Sequence, residues 1–517
     1  MSFIAQTTRT LPCGAALLTL LVAACSSEPE PAAPGPFEQG PPQPTTGAPS
    51  AQPTPGTNTP GGMQPTAPGA EPTTNAGTSG GDVPPADVSD EPTDTPAPAG
   101  VSEWRMMGYD LGSTFFNTAE SMLTKDNAAM LEEAWSVDLG GNVYGAALQV
   151  GDRIYASGPS TVRAFDAASG NELWSTRVPS TASLAYEDGT LYANNNGSEI
   201  VALEAEGGTV LWTRPGNPDS TADGSSSPLV VGDLIVIGGS NGSIELGFGT
   251  FRGFLAALDR ATGDSRWVEY TVPDGAQGAS IWSSPSADLE AGVIYGSTGN
   301  NYGRPATDTS DALIAFDMQT GAILWKNQRV ENDTFGGGSG PDADFGANPV
   351  LFEAMVDGTM TKVVSAGNKG GAAHAVRADD GTLLWTRELC GGTADGSRGI
   401  FTNSAWTGQH MLFACNEGSR ATLYALDGAT GDIGWMRSLP GLVWGRTAVA
   451  NGVGVVGTGN TVEVFDVDTG TVIKSFQSKG GTVASTITIA NGRIAFGEGL
   501  SWSSGVRGSM LTVLALP

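Results

Sequence analysis

One phrase recurs along this chain and constrains its fold more than any other feature. It reads alanine, an apolar residue, aspartate, two variable residues, threonine or serine, glycine, three variable residues and tryptophan, with small departures. AFDAASGNELW ends at Trp174, ALEAEGGTVLW at Trp212, ALDRATGDSRW at Trp267, AFDMQTGAILW at Trp325, AVRADDGTLLW at Trp385 and ALDGATGDIGW at Trp435. A further copy, VFDVDTGTVIK, has Lys474 where the tryptophan should stand. The physics is that of a hairpin: an apolar strand ends at an aspartate that caps the turn, glycine takes the positive φ, and the return strand delivers an indole to pack between sheets. The spacing of the copies is that of propeller blades.

A second series, an apolar run broken by a Gly or Asp turn, begins near residues 145, 182, 226, 283, 348, 403, 445 and 485. It counts one more unit than the hairpin phrase. The chain ends supply the difference: LTVLALP stops where a turn would begin, and LEEAW brings an unpartnered Trp135. Pairing of the C-terminal strand with the N-terminal one would close a ring and remove the sheet edges that invite aggregation. The expectation is all-β, an eight-bladed β-propeller over residues 101–517, and 74 glycines with only 15% charged residues suit it.

Residues 1–24 read as a lipoprotein signal peptide, because one basic residue, Arg9, precedes an apolar run too short to cross a bilayer. The run closes in Leu21-Val22-Ala23-Ala24-Cys25, similar to a bacterial lipobox, which makes Cys25 a lipidated membrane anchor. That places the chain in the bacterial cell envelope, and Ser26 after the cysteine favours the outer membrane, facing the periplasm or exterior. Residues 25–100 are Pro, Thr, Gly, Ala and Ser with almost no large apolar side chain, a disordered tether spanning roughly 45–50 Å as a flexible coil. A net charge of −29 argues against a nucleic-acid partner, which needs clustered Lys and Arg. Cys390 and Cys415 form either a disulfide closing a loop inside one repeat, the favoured reading, or two buried thiols. No Cys-x-x-Cys-His occurs, so the chain carries no c-type haem of its own.

With the repeat, the segment from Trp104, and GTFRGFLAALD, GASIWSSP, STGNNY and DADFGANPVLF in view, the chain resembles the pyrroloquinoline-quinone (PQQ) dependent dehydrogenase-like propellers, closest to their polyvinyl alcohol dehydrogenase branch. The resemblance covers about 400 residues. It implies PQQ and calcium as cofactors, an alcohol or polyol as substrate, and a separate electron acceptor. Residue by residue it implies Trp282 beneath the quinone, and Lys369 with Ser225, Ser226 and Ser227 at the quinone edge. Glu245, Asn300 and Asp342 become metal ligands, Asp342 the catalytic base and Asp344 its neighbour, with the two aspartates exchangeable by a slip of two. Both would face one way on an extended segment. The family's adjacent cysteine pair has no counterpart, nothing basic follows Arg177 where a carboxylate-binding arginine is expected, and only Trp406 could replace an expected tryptophan after RGI. The competing reading is a non-catalytic propeller lipoprotein that binds envelope proteins or assists outer-membrane assembly.

Overall fold

The computed structural model describes residues 102–517 apart from 197–198, 217, 220, 223–225, 243, 245–249, 337–341, 392–397, 402–403 and 501–506. The signal peptide, Cys25, the tether, Ser225 and Glu245 lie outside the described residues.

Eight antiparallel sheets follow one another along the chain, and we number them as blades 1 to 8. Blade 4 is typical: Ser286–Asp288 is innermost, followed outward by Val293–Ser297, Ala312–Asp317 and Ile323–Gln328. Blade 5 comprises Val350–Val356, Thr359–Gly367, Ala372–Arg377 and Leu383–Glu388. Middle strands such as Ala312–Asp317 are buried on both faces, so they read as apolar runs, whereas the outer strands alternate.

Blade 8 is built from both ends of the described chain. Met510–Ala515 pairs antiparallel with Glu132–Asp138, placing Trp135 opposite Val513, and this is the closure expected from the sequence. The hairpin phrase folds as its chemistry dictates. In five copies the aspartate accepts the turn N–H three residues on at 2.7 to 3.2 Å, and the glycines of all seven copies have φ between 71° and 77°.

Each of those glycines also receives the indole of the preceding blade. A Cβ on Gly170 would lie 2.6 Å from Trp135, and one on Gly208 would lie 2.5 Å from Trp174. Gly263, Gly321, Gly381, Gly431 and Gly470 meet Trp212, Trp267, Trp325, Trp385 and Trp435 in the same way. The indole N–H of Trp135 then donates to the Ala167 carbonyl at 3.1 Å, and that of Trp174 to Ala205 at 3.1 Å. Lys474, which breaks the phrase, reaches from blade 7 to the Ala129 and Leu131 carbonyls beside blade 8 and holds that seam by hydrogen bonds instead.

Two features depart from the sequence reading. Residues 104–117 run across the inner strands of seven blades, through bonds of 2.7 to 2.9 Å joining Trp104 to Gln149, Arg105 to Tyr186, Leu111 to Ala287, Gly112 to Leu351, Thr114 to Trp406, Phe115 to Val449 and Asn117 to Ile489. The Cys390–Cys415 disulfide does form, but it joins blade 5 to blade 6 rather than closing a loop within one repeat.

Trp135 fills the seam between blades 8 and 1, so Trp135→Ala is expected to cost about 3–5 kcal/mol in urea unfolding. A loss under about 1 kcal/mol, the size of a surface change, would show that the indole does not hold that seam.

Candidate active site

Antiparallel strands send the connections after the second and fourth strands of every blade to one face. On that face blades 4 and 5 contribute four segments. Trp282 precedes Ser286–Asp288, and Asn300 and Asp311 lie between Val293–Ser297 and Ala312–Asp317. Asp333, Asp342 and Asp344 lie between blades 4 and 5, and Lys369 sits between Thr359–Gly367 and Ala372–Arg377.

The side chains meet. Lys369 Nζ lies 2.7 Å from Asp342 Oδ1 in a hydrogen bond, and 2.7 Å from Asp344 Oδ1 in an ion-pair contact off the hydrogen-bond direction. The two aspartates therefore face the same way, as their spacing implied. The same ammonium stands 5.0 Å from the centre of the Trp282 ring. The Trp282 indole N–H donates to Asp344 Oδ2 at 2.9 Å, which fixes the ring while leaving it partly exposed. Gly346 lies against the six-membered part of that ring, where any Cβ would collide.

Asn300 is fully buried, and its amide orientation is determined. Nδ2 donates to the Phe335 and Asn301 carbonyls at 2.7 and 3.0 Å, so Oδ1 is left as an acceptor, and it has no hydrogen-bond partner among the described residues. Asn301 beside it is structural: its Oδ1 caps the Thr307 N–H at 2.7 Å and its Nδ2 donates to Gln277.

Two carboxylates escaped the sequence reading. Asp311 is fully buried with φ of +51°, and neither of its oxygens has a well-aligned hydrogen bond among the described residues. Burial, then the charges of Asp333 and Asp344, push its carboxyl well above the ordinary range. Asp333 accepts the Ala343 N–H at 2.9 Å, holding the residue between Asp342 and Asp344, and burial raises its carboxyl too. Asp342 is pushed up to about 7, first by burial and then by repulsion from Asp344, with Lys369 opposing both. The only sequence signal was an aspartate at the mouth of each loop.

The rest of the mouth follows from register. Trp282 stands four positions before its innermost strand, Ser286–Asp288, and the same count back from Leu148, Val350, Ala405, Ala448 and Thr488 gives Tyr144, Gly346, Phe401, Trp444 and Ala484. Phe401 packs on Trp444 with ring centres 5.7 Å apart, and the buried Arg446 guanidinium lies 4.8 Å from the Tyr144 ring centre. Trp406 does not join this ring, because it stacks on Phe352 at 4.2 Å. The Ser226 hydroxyl is buried and accepts the Gly238 N–H at 2.9 Å, and the Ser227 hydroxyl accepts the Ser183 N–H at 3.1 Å.

A family model described as glucose/ethanol/alcohol dehydrogenase, beta-propeller domain, matches residues 104–389, more than half of the chain. The chain belongs to this family. A second model, described as outer membrane protein assembly factor BamB, matches residues 369–513. Polyvinylalcohol dehydrogenase of a Pseudomonas species is 28% identical over 348 residues, 58% of this chain and 53% of that protein. The enzyme of the same name from Sphingopyxis sp. (strain 113P3) is 28% identical over 403 residues, 66% of this chain and 60% of that protein. The chain thus spans between half and two thirds of the length of these relatives. Among solved structures, quinohemoprotein alcohol dehydrogenase ADHIIG from Pseudomonas putida HK5 superposes with a TM-score of 0.68 at 18% identity, covering 80% of each chain. The match is one of fold.

The raised carboxyls have a measurable consequence. An acid that binds its proton more tightly when folded favours the native state below its unfolded value near 4, and this advantage is lost as pH rises through its folded value. In calcium-free, cofactor-free protein, urea stability should therefore fall from pH 4 to pH 7.5, and fall less in Asp342→Asn, whose amide does not ionise. Equal slopes in the two proteins would contradict the buried, repelled carboxyl described above.

Proposed function

We propose that this chain is a quinoprotein dehydrogenase that oxidises an alcohol or polyol, using PQQ above Trp282 and calcium beside Asn300 and Asp342. The observation that carries the proposal is Asn300 Oδ1. The amide is fixed by two donated bonds, and the buried oxygen has no hydrogen-bond partner among the described residues. A binding propeller has no use for such an oxygen, since a buried acceptor without a partner costs about 1–3 kcal/mol. A hard cation takes oxygen ligands of this type, and Glu245 is the ligand that the family resemblance adds.

Bound there, the quinone supplies a two-electron acceptor and calcium a Lewis acid. The protein's part can be stated from its own residues. Asp342 takes the substrate hydroxyl proton at a carboxylate oxygen, with Lys369 at 2.7 Å favouring the ionised form against the repulsion of Asp344. Asp344 orients the Trp282 ring through the indole N–H, so that the ring offers a flat face to a flat cofactor. Arg446, buried at the mouth over Tyr144, takes the carboxylate-binding part for which nothing basic follows Arg177. Cys25 anchors the chain to the envelope by lipid, and the electrons pass to a separate acceptor.

The test is reconstitution with calcium and PQQ, followed by dye-linked oxidation of primary and secondary alcohols. Turnover is expected, and Asp342→Asn should lower kcat by about 10²–10⁴-fold, the usual worth of a positioned base. A folded protein that shows neither a bound-quinone spectrum nor turnover would refute the reading.

A further inference from the structure

We infer that His374 is a positioning residue for this face, acting through Asn368 on the Lys369 turn and through Phe345 on the Asp344 segment. His374 lies on Ala372–Arg377 of blade 5, one of only two histidines in the chain, and is 3% exposed. Neither the repeat phrase nor the proposed chemistry requires it.

Its hydrogen bonds specify one tautomer. Asn368 Oδ1 accepts the Ala372 N–H at 3.1 Å, so the Asn368 amide nitrogen faces His374, 3.4 Å from Nε2. Nε2 must then accept, and Nδ1 carries the proton and donates to Thr386 Oγ1 at 3.0 Å. Burial, aided by the charge of Arg329, pushes the imidazole down to about 3, which keeps the ring neutral and Nε2 free to accept.

Asn368 is the first residue of the turn that presents Lys369. Its N–H donates to the Ala372 carbonyl at 3.0 Å, and its carbonyl accepts from Gly371 and Ile400, each at 3.0 Å. The Lys369 N–H in turn donates to the Asp344 carbonyl at 2.9 Å. On its other side the imidazole meets the next residue of that segment, with Phe345 edge-on at 5.7 Å. One neutral ring therefore touches the supports of both partners in the Lys369–Asp344 pair. Any buried imidazole needs a polar partner on each nitrogen; what packing alone does not require is its place between these two segments, with Asn368 on one side and Phe345 on the other.

The experiment compares His374→Leu, which fills similar space without an acceptor, with His374→Gln, whose amide oxygen can replace Nε2. Hydrogen exchange is read first, on the full chain without metal or quinone. Amides of residues 368–372 should exchange about tenfold faster in the leucine variant, the loss of one hydrogen bond, while blades 1 and 2 are unchanged and glutamine stays near wild type. Unchanged exchange in the leucine variant, or equally fast exchange in both, overturns the inference. Should the leucine variant fail to fold, His374→Met, which also lacks the ring acceptor and leaves the Asn368–Ala372 bond in place, takes its place.

The kinetic arm rests on the proposed dehydrogenase. In reconstituted enzyme, kcat should drop about 10–100-fold in His374→Leu with KM for the alcohol nearly unchanged, and His374→Gln should recover most of it. A fall in KM-dependent binding alone, or no rescue, counts against positioning. Lack of turnover in the wild type sinks the dehydrogenase reading, and the exchange data still decide the role of His374.

Discussion

The contact on which the molecule depends is the indole of one blade laid on the turn glycine of the next. The turn needs a positive φ, which favours glycine, and the same missing Cβ admits the ring, so one residue type serves the hairpin and the seam. Where Lys474 replaces the indole, hydrogen bonds to the chain beside Trp135 take over. The inner strands are further joined by residues 104–117, which cross-link seven blades near the axis. A ring fixed at its seams and at its centre can hold loops from separate blades at hydrogen-bonding distance.

That rigidity supports an arrangement which is electrostatically unfavourable by itself. Asp311, Asp333, Asp342 and Asp344 are buried near a single ammonium, Lys369. Burial first, and then the neighbouring like charges, raise the carboxyls of Asp311, Asp333 and Asp342. Folding alone would favour apolar side chains at such places. Their concentration on the face that also holds the partly exposed Trp282 ring, and an Asn300 oxygen without a partner among the described residues, is what the proposed dehydrogenase reading rests on.

The propeller could be read from sequence because its determinants are local: aspartate, glycine and tryptophan lie within one hairpin and repeat. Trp282 and the Asp342–Asp344 pair were picked out by the family resemblance; the residues themselves added that Trp282 falls outside the phrase and that a spacing of two puts both aspartates on one side. Asp311 and Asp333 were not picked out, since each is a lone carboxylate in a loop until tertiary contacts bury it. The path of residues 104–117 has no periodicity to betray it. Cys390 and Cys415 could be paired by compartment, but whether the bond lay within a repeat or across a seam depends on where blade 6 begins. Trp406 shows the converse, since its place in the sequence suited the site and its place in blade 6 gave it to Phe352.

We propose that blades 4 and 5 bring the Trp282 indole and the loop aspartates together to receive a quinone. Titration of the unloaded chain with PQQ in the presence of calcium, read by tryptophan fluorescence, tests it most directly. Saturable quenching at one quinone per chain is predicted, with most of the amplitude lost in Trp282→Phe although 11 of the 12 tryptophans remain. Quenching of equal depth in both proteins, or none in either, would contradict the account.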